Sequence, residues 1–379
     1  MIKSFICVSM LLIINNSVSS FARGDEELLS SCYRFNAQRD GYTVAQGPRI
    51  INNLRWKKKI GKGILPSPTV SEKVVYCGGD GGILYALDAI DGGVKWTYDT
   101  KGSITSSPAV SGGRVFVGDE SCFYAIDKDS GQALWRFEPQ VQAKCYSAPC
   151  VYDSIVYFGT GEGTLYALSA DGGEVKWSTQ LNEDIEGGLY PPTVTEAYIA
   201  VLSETHHLHI VDRITGKKVL TEDADNYPLH VHTTATRDRT LYVPVFMGMR
   251  AVDLETMEVK WFRESEQFTL MHSPTVWNER VLYSDSRGLK ALDAESGKVV
   301  WEQEDGIIVI NPIVADDVLY GTGVDAGNEK YYVYSIEPHS GTIISQYEIP
   351  ERALTTPAVC NKLLYVTALN GYLYALGGE

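Results

Sequence analysis

The sequence predicts an all-β protein, an eight-bladed β-propeller of four-stranded blades, and three observations carry that expectation. The first is a tryptophan series, Trp56, Trp96, Trp135, Trp177, Leu220, Trp261, Trp301 and Ser345, at intervals of 39 to 44 residues. Eight residues before the last seven stand Asp88, Asp127, Ser169, Asp212, Asp253, Asp293 and Glu337, so the register persists where the tryptophan or the acid is lost. The second is a parallel series, Pro68, Pro108, Pro149, Pro192, Thr234, Pro274, Pro312 and Pro357. The third is the mismatch of the ends: a lone fourth strand around Trp56, and a last unit that stops after its third strand at Gly377. Internal repetition near forty residues is the signature of propeller blades.

Each unit reads in order. After the proline comes a short inner strand and a turn, then an apolar strand such as Val74-Val75-Tyr76, Val115-Phe116-Val117 or Leu363-Leu364-Tyr365. The third strand alternates, as in Leu84-Tyr85-Ala86-Leu87, and ends at the acid. An Asp there accepts hydrogen bonds from backbone N–H groups two or three residues on. Gly92, Gly131, Gly173, Gly216, Gly297 and Gly341 supply the positive-φ position of the turn, and Met257 departs from that rule. The tryptophan that follows is a flat apolar wedge suited to the space between two sheets. Asp88, Asp127, Asp212, Asp253 and Asp293, with Trp56, Trp96, Trp135, Trp177, Trp261 and Trp301, are therefore structural repeat residues rather than general bases. The N-terminal strand is expected to complete the C-terminal blade, closing the ring and removing both sheet edges.

Three segments precede or make up this architecture: residues 1–22 as a signal peptide, 23–47 as an N-terminal leader, and 48–379 as the propeller. Lys3 provides a basic start, Phe5 to Ile14 an apolar run too short to span a bilayer, and Ser20-Phe21-Ala22 a cleavage site after Ala22. The expected mature protein is exported, periplasmic or secreted, and soluble. Leu29-Ser30-Ser31-Cys32 has the letters of a lipoprotein box, but Arg23, Asp25, Glu26 and Glu27 separate it from the apolar core, which argues against lipidation of Cys32. Cys32, Cys77, Cys122, Cys145, Cys150 and Cys360 lack C-x-x-C spacing, so neither a redox motif nor a zinc knuckle is indicated; an even number permits disulfides, and buried free thiols fit equally well. A formal charge of −15 opposes a phosphate backbone, so nucleic acid is not an expected partner.

Candidate interaction residues come from the segments before the inner strands, where the channel opens. Lys144, Glu186, Tyr190, His230, His232, His272, Asp305 and Arg352 fall there. His232 and His272 occupy equivalent positions of adjacent blades, and His206, His207 and His209 cluster in another; hydrogen-bonded histidines are favoured over a metal site, since the spacing follows from the repeat. Gly78-Gly79-Asp80-Gly81-Gly82 sits between strands and opens no helix, so it is no phosphate loop, and neither G-x-S-x-G nor H-E-x-x-H occurs. No catalytic, cofactor-binding or metal residue is assigned.

The A-x-D-x-x-x-G-x-x-x-W pattern at Ala86–Trp96 and Ala291–Trp301 resembles the tryptophan-docking motif of the quinoprotein-type (PQQ-like) propeller repeats, over about residues 48–379. Two branches of that family matter. One comprises the periplasmic β-barrel assembly factors (BamB) and uncharacterised secreted relatives, which are non-enzymatic interaction proteins and usually lipid-anchored. The other comprises dehydrogenases that hold pyrroloquinoline quinone and Ca²⁺ in the central funnel. Short connections and the lack of neighbouring cysteines make the chain similar to the first. Arg34-Phe35-Asn36-Ala37-Gln38-Arg39-Asp40-Gly41 looks like the leader of the secreted relatives. The resemblance implies a monomeric, non-catalytic scaffold that binds another protein, in envelope protein assembly, without a membrane span and with no cofactor expected; the alternative is a small oxidoreductase dependent on pyrroloquinoline quinone with Ca²⁺, or another enzyme with a ligand site in the central funnel.

Overall fold

The computed structural model describes residues 32–378 except 64, 140–143, 146, 183–186, 225–232, 246–247, 266–271, 304–306, 326 and 328. The described elements are all strands, gathered into eight sheets. Blade 1 is built from Thr69–Ser71, Val74–Gly78, Ile83–Asp88 and Val94–Asp99, with each strand hydrogen-bonded to the next. Blades 2 to 7 follow in chain order with the same meander. Blade 8 consists of Ala358–Cys360, Leu363–Thr367, Tyr372–Gly377 and, as its fourth strand, Asn53–Lys59 from the other end of the chain. Asn53 pairs with Gly377 and Lys59 with Tyr372, antiparallel, so the ring closes as the sequence predicts.

Burial explains the composition of each strand. Second strands are apolar throughout because both faces pack on neighbouring blades: Val75, Tyr76 and Cys77 are fully buried, as are Val115, Phe116 and Val117. Fourth strands alternate half-buried and exposed residues, as Val94–Asp99 does, because they form the outer rim.

The repeat residues join one blade to the next. Trp96 of blade 1 donates its indole N–H to the Lys128 carbonyl in the third turn of blade 2, at 2.8 Å. Trp56, Trp135, Trp177, Trp261 and Trp301 do the same to Ala89, Ala170, Arg213, Ala294 and Pro338, at 3.0–3.2 Å. The receiving turn must be glycine at its left-handed position: Gly131 has φ +71°, and a Cβ there would lie 2.6 Å from the Trp96 ring. The acid holds that turn. Asp127 accepts from the Ser130 N–H at 2.7 Å, Asp88 from Ile90, Asp212 from Thr215, Asp253 from Glu255 and Thr256, and Asp293 from Ser296. The hydroxyls of Ser130, Thr215 and Ser296, and then these N–H groups, hold the carboxyls of Asp127, Asp212 and Asp293 below the usual range, and the Ile90 N–H followed by Lys95 does so for Asp88.

The two units without tryptophan are those facing a turn without glycine. Leu220 of blade 4 packs in one apolar cluster with Met257, which takes φ +60° in the blade 5 turn. Ser345 of blade 7 faces blade 8, where no covalent turn exists because its third and fourth strands are the two ends of the propeller chain.

Around the channel the inner strands are tied by a belt of polar bonds. The Thr233 N–H donates to Ser273 Oγ at 3.0 Å, Ser273 N–H to Asn311 Oδ1 at 3.3 Å, and Thr356 N–H to Ser67 Oγ at 2.9 Å. Thr69 and Thr193 donate hydroxyl bonds to the Pro108 and Thr234 carbonyls.

Candidate functional site

The channel has two unlike mouths. At one, the chain before the first propeller strand is folded against the inner strands. N–H groups of Val194, Thr236, Val276 and Val314, two residues past the proline positions of blades 4 to 7, donate to the carbonyls of Ala37, Gln38, Asp40 and Gly41 at 2.7–3.0 Å. Tyr42–Thr43 then adds in parallel to Val314–Ala315 of blade 7, and the Lys362 N–H of blade 8 reaches the Gln46 carbonyl at 3.0 Å. Backbone groups that would otherwise face the channel unpaired are thereby satisfied.

Two arginines fasten this segment. Arg39 is fully buried and donates to the carbonyls of Pro192, Ala148, Pro149 and Tyr33 at 2.6–3.2 Å, with its guanidinium also 5.4 Å from the centre of the Tyr33 ring. Arg34 donates to Thr275 Oγ1 at 2.8 Å, to the Pro274 carbonyl and to the Arg39 carbonyl. Burial pulls the Arg34 pKa down to about 10, opposed by Tyr33 and Asp40, so it remains charged at neutral pH. Asp40 is itself buried, accepts the Asn36 side-chain amide at 2.8 Å and the Tyr42 N–H at 2.9 Å, and lies 3.9 Å from Arg237. One motif thus reaches blade 3 through Arg39 and blade 6 through Arg34, across the mouth.

The other mouth is made by the loops that enter the inner strands, and of the sequence-predicted interaction residues Lys144, His272 and Arg352 are described in those loops. Lys144 and Arg352 are exposed there. Leu354 is 40% exposed beside Arg352. His272 is partly buried; burial, with Arg352 nearby, pushes its pKa down to about 4, so it is a neutral imidazole at physiological pH. Tyr190 is not a rim residue: it packs with Ala200, Leu202 and Leu241 between blades 4 and 5, and its carbonyl accepts the Ser147 hydroxyl at 3.2 Å. Glu186, His230, His232 and Asp305 lie outside the described residues.

The histidines of blade 4 are built into the wall. His209 is buried, its Nδ1 lies 3.1 Å from Thr221 Oγ1, and His207 stacks beside it at 5.8 Å. Burial first, then the neighbouring His207 and Lys218 charges, push His209 down to about 4. Among the described residues there is no cluster of three His, Cys, Asp or Glu able to hold a metal ion. Among the described residues, the hydroxyls of Thr193, Ser273 and Ser67 are engaged between blades, and this set of donors does not fit a calcium–quinone group.

Comparison with known proteins places this geometry. The sequence profile of the outer membrane protein assembly factor BamB matches residues 37–184, 119–322 and 247–344. The chain belongs to the BamB family. The match begins at Ala37, so it takes in the later part of the leader, with Arg39 and Asp40, as well as the blades. BamB of Yersinia pestis is 24% identical over 92% of this chain and 95% of its own length, and that of Escherichia coli K12 is 26% identical over 92% and 96%. The crystal structure of BamB from Moraxella catarrhalis superposes with a TM-score of 0.68 at 18% identity, covering 87% of this chain and all of that one. Quinohemoprotein alcohol dehydrogenase from Comamonas testosteroni superposes with a TM-score of 0.74 at 13% identity over 93% of this chain and 81% of its own, which shows a shared fold. Among the described residues no helix is long and apolar enough to cross a membrane.

Proposed function

We propose that the chain is an exported, non-catalytic scaffold in outer-membrane protein assembly, docking a protein partner through the loops at the mouth opposite the leader. The observation that carries this reading is the family match, which extends over most of the chain and over nearly the whole length of the BamB relatives. The asymmetry of the channel supports the choice of face. The leader engages the inner strands at one end, whereas the entry loops present Lys144, Arg352 and the apolar Leu354 to solvent at the other. Exposed cations beside an apolar side chain suit an acidic, partly apolar protein surface.

The test is a charge reversal in the native host. Lys144→Glu with Arg352→Glu should leave the protein exported and folded but lower its co-purification with outer-membrane assembly proteins at least tenfold, with a parallel fall in folded outer-membrane barrels. Unchanged co-purification would remove this face from consideration. Normal barrel assembly in a strain lacking the protein altogether would overturn the assembly role itself.

A further inference from the structure

Cys32 opens the described part of the chain, and its side chain points inward. It is 4% exposed and packs with Ala109, Phe116 and Cys145 of blades 2 and 3. Its thiol donates to the Asn36 carbonyl at 3.1 Å. Cys150, at the start of the inner strand of blade 3, is fully buried and directs its thiol to the next carbonyl of the same turn, that of Ala37, at 3.9 Å. The two thiols thus converge on successive carbonyls of one turn, near enough for each to perturb the other. Of the other described cysteines, Cys145 shares the Cys32 cluster and is the competing partner, and three are engaged elsewhere. Cys122 receives the Arg136 guanidinium at 2.8 Å, Cys360 donates to the Glu72 carbonyl at 2.8 Å, and Cys77 lies in the cluster between blades 8 and 1.

We infer that Cys32 and Cys150 are a disulfide-forming pair that staples the leader to blade 3, and that Cys32 is therefore not a lipid anchor. The inference rests on the export reading for its oxidising compartment. Two S–H bonds break and one S–S bond forms; the two electrons and two protons pass to the disulfide of a thiol–disulfide oxidant, which leaves as a dithiol. The neighbouring Cys150 thiol holds the Cys32 thiol below its usual range against the effect of burial, and Arg39 acts in the same direction. Of the pair Cys32 is therefore the more readily ionised and the attacking sulfur, and Cys150, pushed up by burial, the second partner. A diacylglyceryl group on Cys32 Sγ would require that sulfur to leave the interior, and the Asn36 turn with it.

The Leu29-Ser30-Ser31-Cys32 letters and the pairing make opposite demands on one sulfur, so a single experiment separates them. Full-length protein exported by its own N-terminus is quenched in acid, alkylated in denaturant and mapped without reductant. The expected product is one cross-linked peptide pair carrying Cys32 and Cys150, lighter than its two free-thiol peptides by two hydrogens and abolished by reductant. In Cys150→Ser, Cys32 should be recovered alkylated. Thermal unfolding provides a second reading: reductant should lower the melting temperature of the native protein but not that of Cys32→Ser/Cys150→Ser. Recovery of both thiols alkylated from the native protein, pairing of either with another cysteine, or a lipid on an N-terminal Cys32 would each overturn the inference.

Discussion

The hydroxyl of Ser345 accepts the backbone N–H of Ile51 at 2.7 Å, joining blade 7 to the strand that closes the ring. Every other interface with a docked tryptophan uses an indole and a glycine turn; here the two ends of the propeller chain meet instead, and a small hydroxyl leaves room for them. Ser335 extends the arrangement, its hydroxyl lying 2.8 Å from Ser345 Oγ and 2.8 Å from the Arg49 carbonyl. Ile51 is buried, so its N–H has no access to water if the serine is removed. Ser345→Ala should therefore destabilise by about 1–3 kcal/mol. Ser345→Trp should be worse, because the blade 8 side offers no turn to receive the ring. Deleting residues 48–60 removes the partner of Tyr372–Gly377 and exposes a sheet edge, and should give aggregation or a large loss of urea resistance. A truncated chain that unfolds at the native urea midpoint would show that closure contributes nothing.

Leu220 and Met257, packed against the same apolar cluster, give a second prediction. The register implies that the two losses are one substitution made twice, leucine for the wedge and methionine for the turn glycine. Leu220→Trp alone should overpack against Met257 and destabilise by about 1–3 kcal/mol. Met257→Gly alone relieves a left-handed non-glycine but leaves a cavity beside Leu220. The double variant restores the arrangement of Trp177 on Gly216, so the two changes should be favourably coupled by on the order of 1 kcal/mol or more in denaturant titrations. Strict additivity would mean that the two positions are independent.

The repeat was readable because its parts lie within one unit. Asp127 and Gly131 share a turn, and the regular spacing of Trp96 and Trp135 survives every change of neighbouring residue. That Trp96 meets Gly131, and not the glycine of its own blade, becomes visible only when the blades are placed side by side. The leader was less legible. Arg34 and Arg39 are recognisable as a motif, but their acceptors, Pro274 and Pro192, are carbonyls distant in sequence, and no spacing encodes a carbonyl. Of the candidate rim, the loop positions were legible, with Lys144 and Arg352 exposed, whereas the Tyr190 ring turns into an interblade core that local pattern does not reveal.

Arg39 carries a third prediction. Arg39→Met keeps much of the apolar stem but strips donors from the carbonyls of Ala148, Pro149, Pro192 and Tyr33. Buried acceptors without donors should cost on the order of 3 kcal/mol or more in total. Limited proteolysis should then cut within residues 32–47 before it cuts the blades. Arg39→Lys should recover only part of the loss, since one ammonium cannot serve the fork of acceptors that a guanidinium does. Protease resistance equal to that of the native chain in Arg39→Met would show that the backbone bonds to Val194, Thr236, Val276 and Val314 hold the segment unaided.

The last prediction concerns pH. His209 and His272 both have folded pKa values pushed from 6.5 to about 4, each chiefly by burial. A histidine lowered in this way is neutral in the fold while the unfolded chain takes up a proton. Their contribution is therefore fully present above about pH 6.5, declines as pH falls from there, and levels off below about pH 4. The upper bound per histidine is roughly 3 kcal/mol, reached only at the acid end. The turn carboxyls act in a different window. Asp88, Asp127, Asp212 and Asp293 are lowered below 3.8, so their stabilisation persists above that pH and is lost as pH falls through their folded values. Urea midpoints measured from pH 7 to pH 3 should consequently fall in two stages, histidine first and carboxylate second. His209→Gln should flatten the upper stage while leaving the lower one, because glutamine can still meet Thr221 but has no proton to gain in that range. A stability that is constant between pH 6.5 and pH 4 in the native protein would show that these imidazoles ionise without opening the blades that bury them.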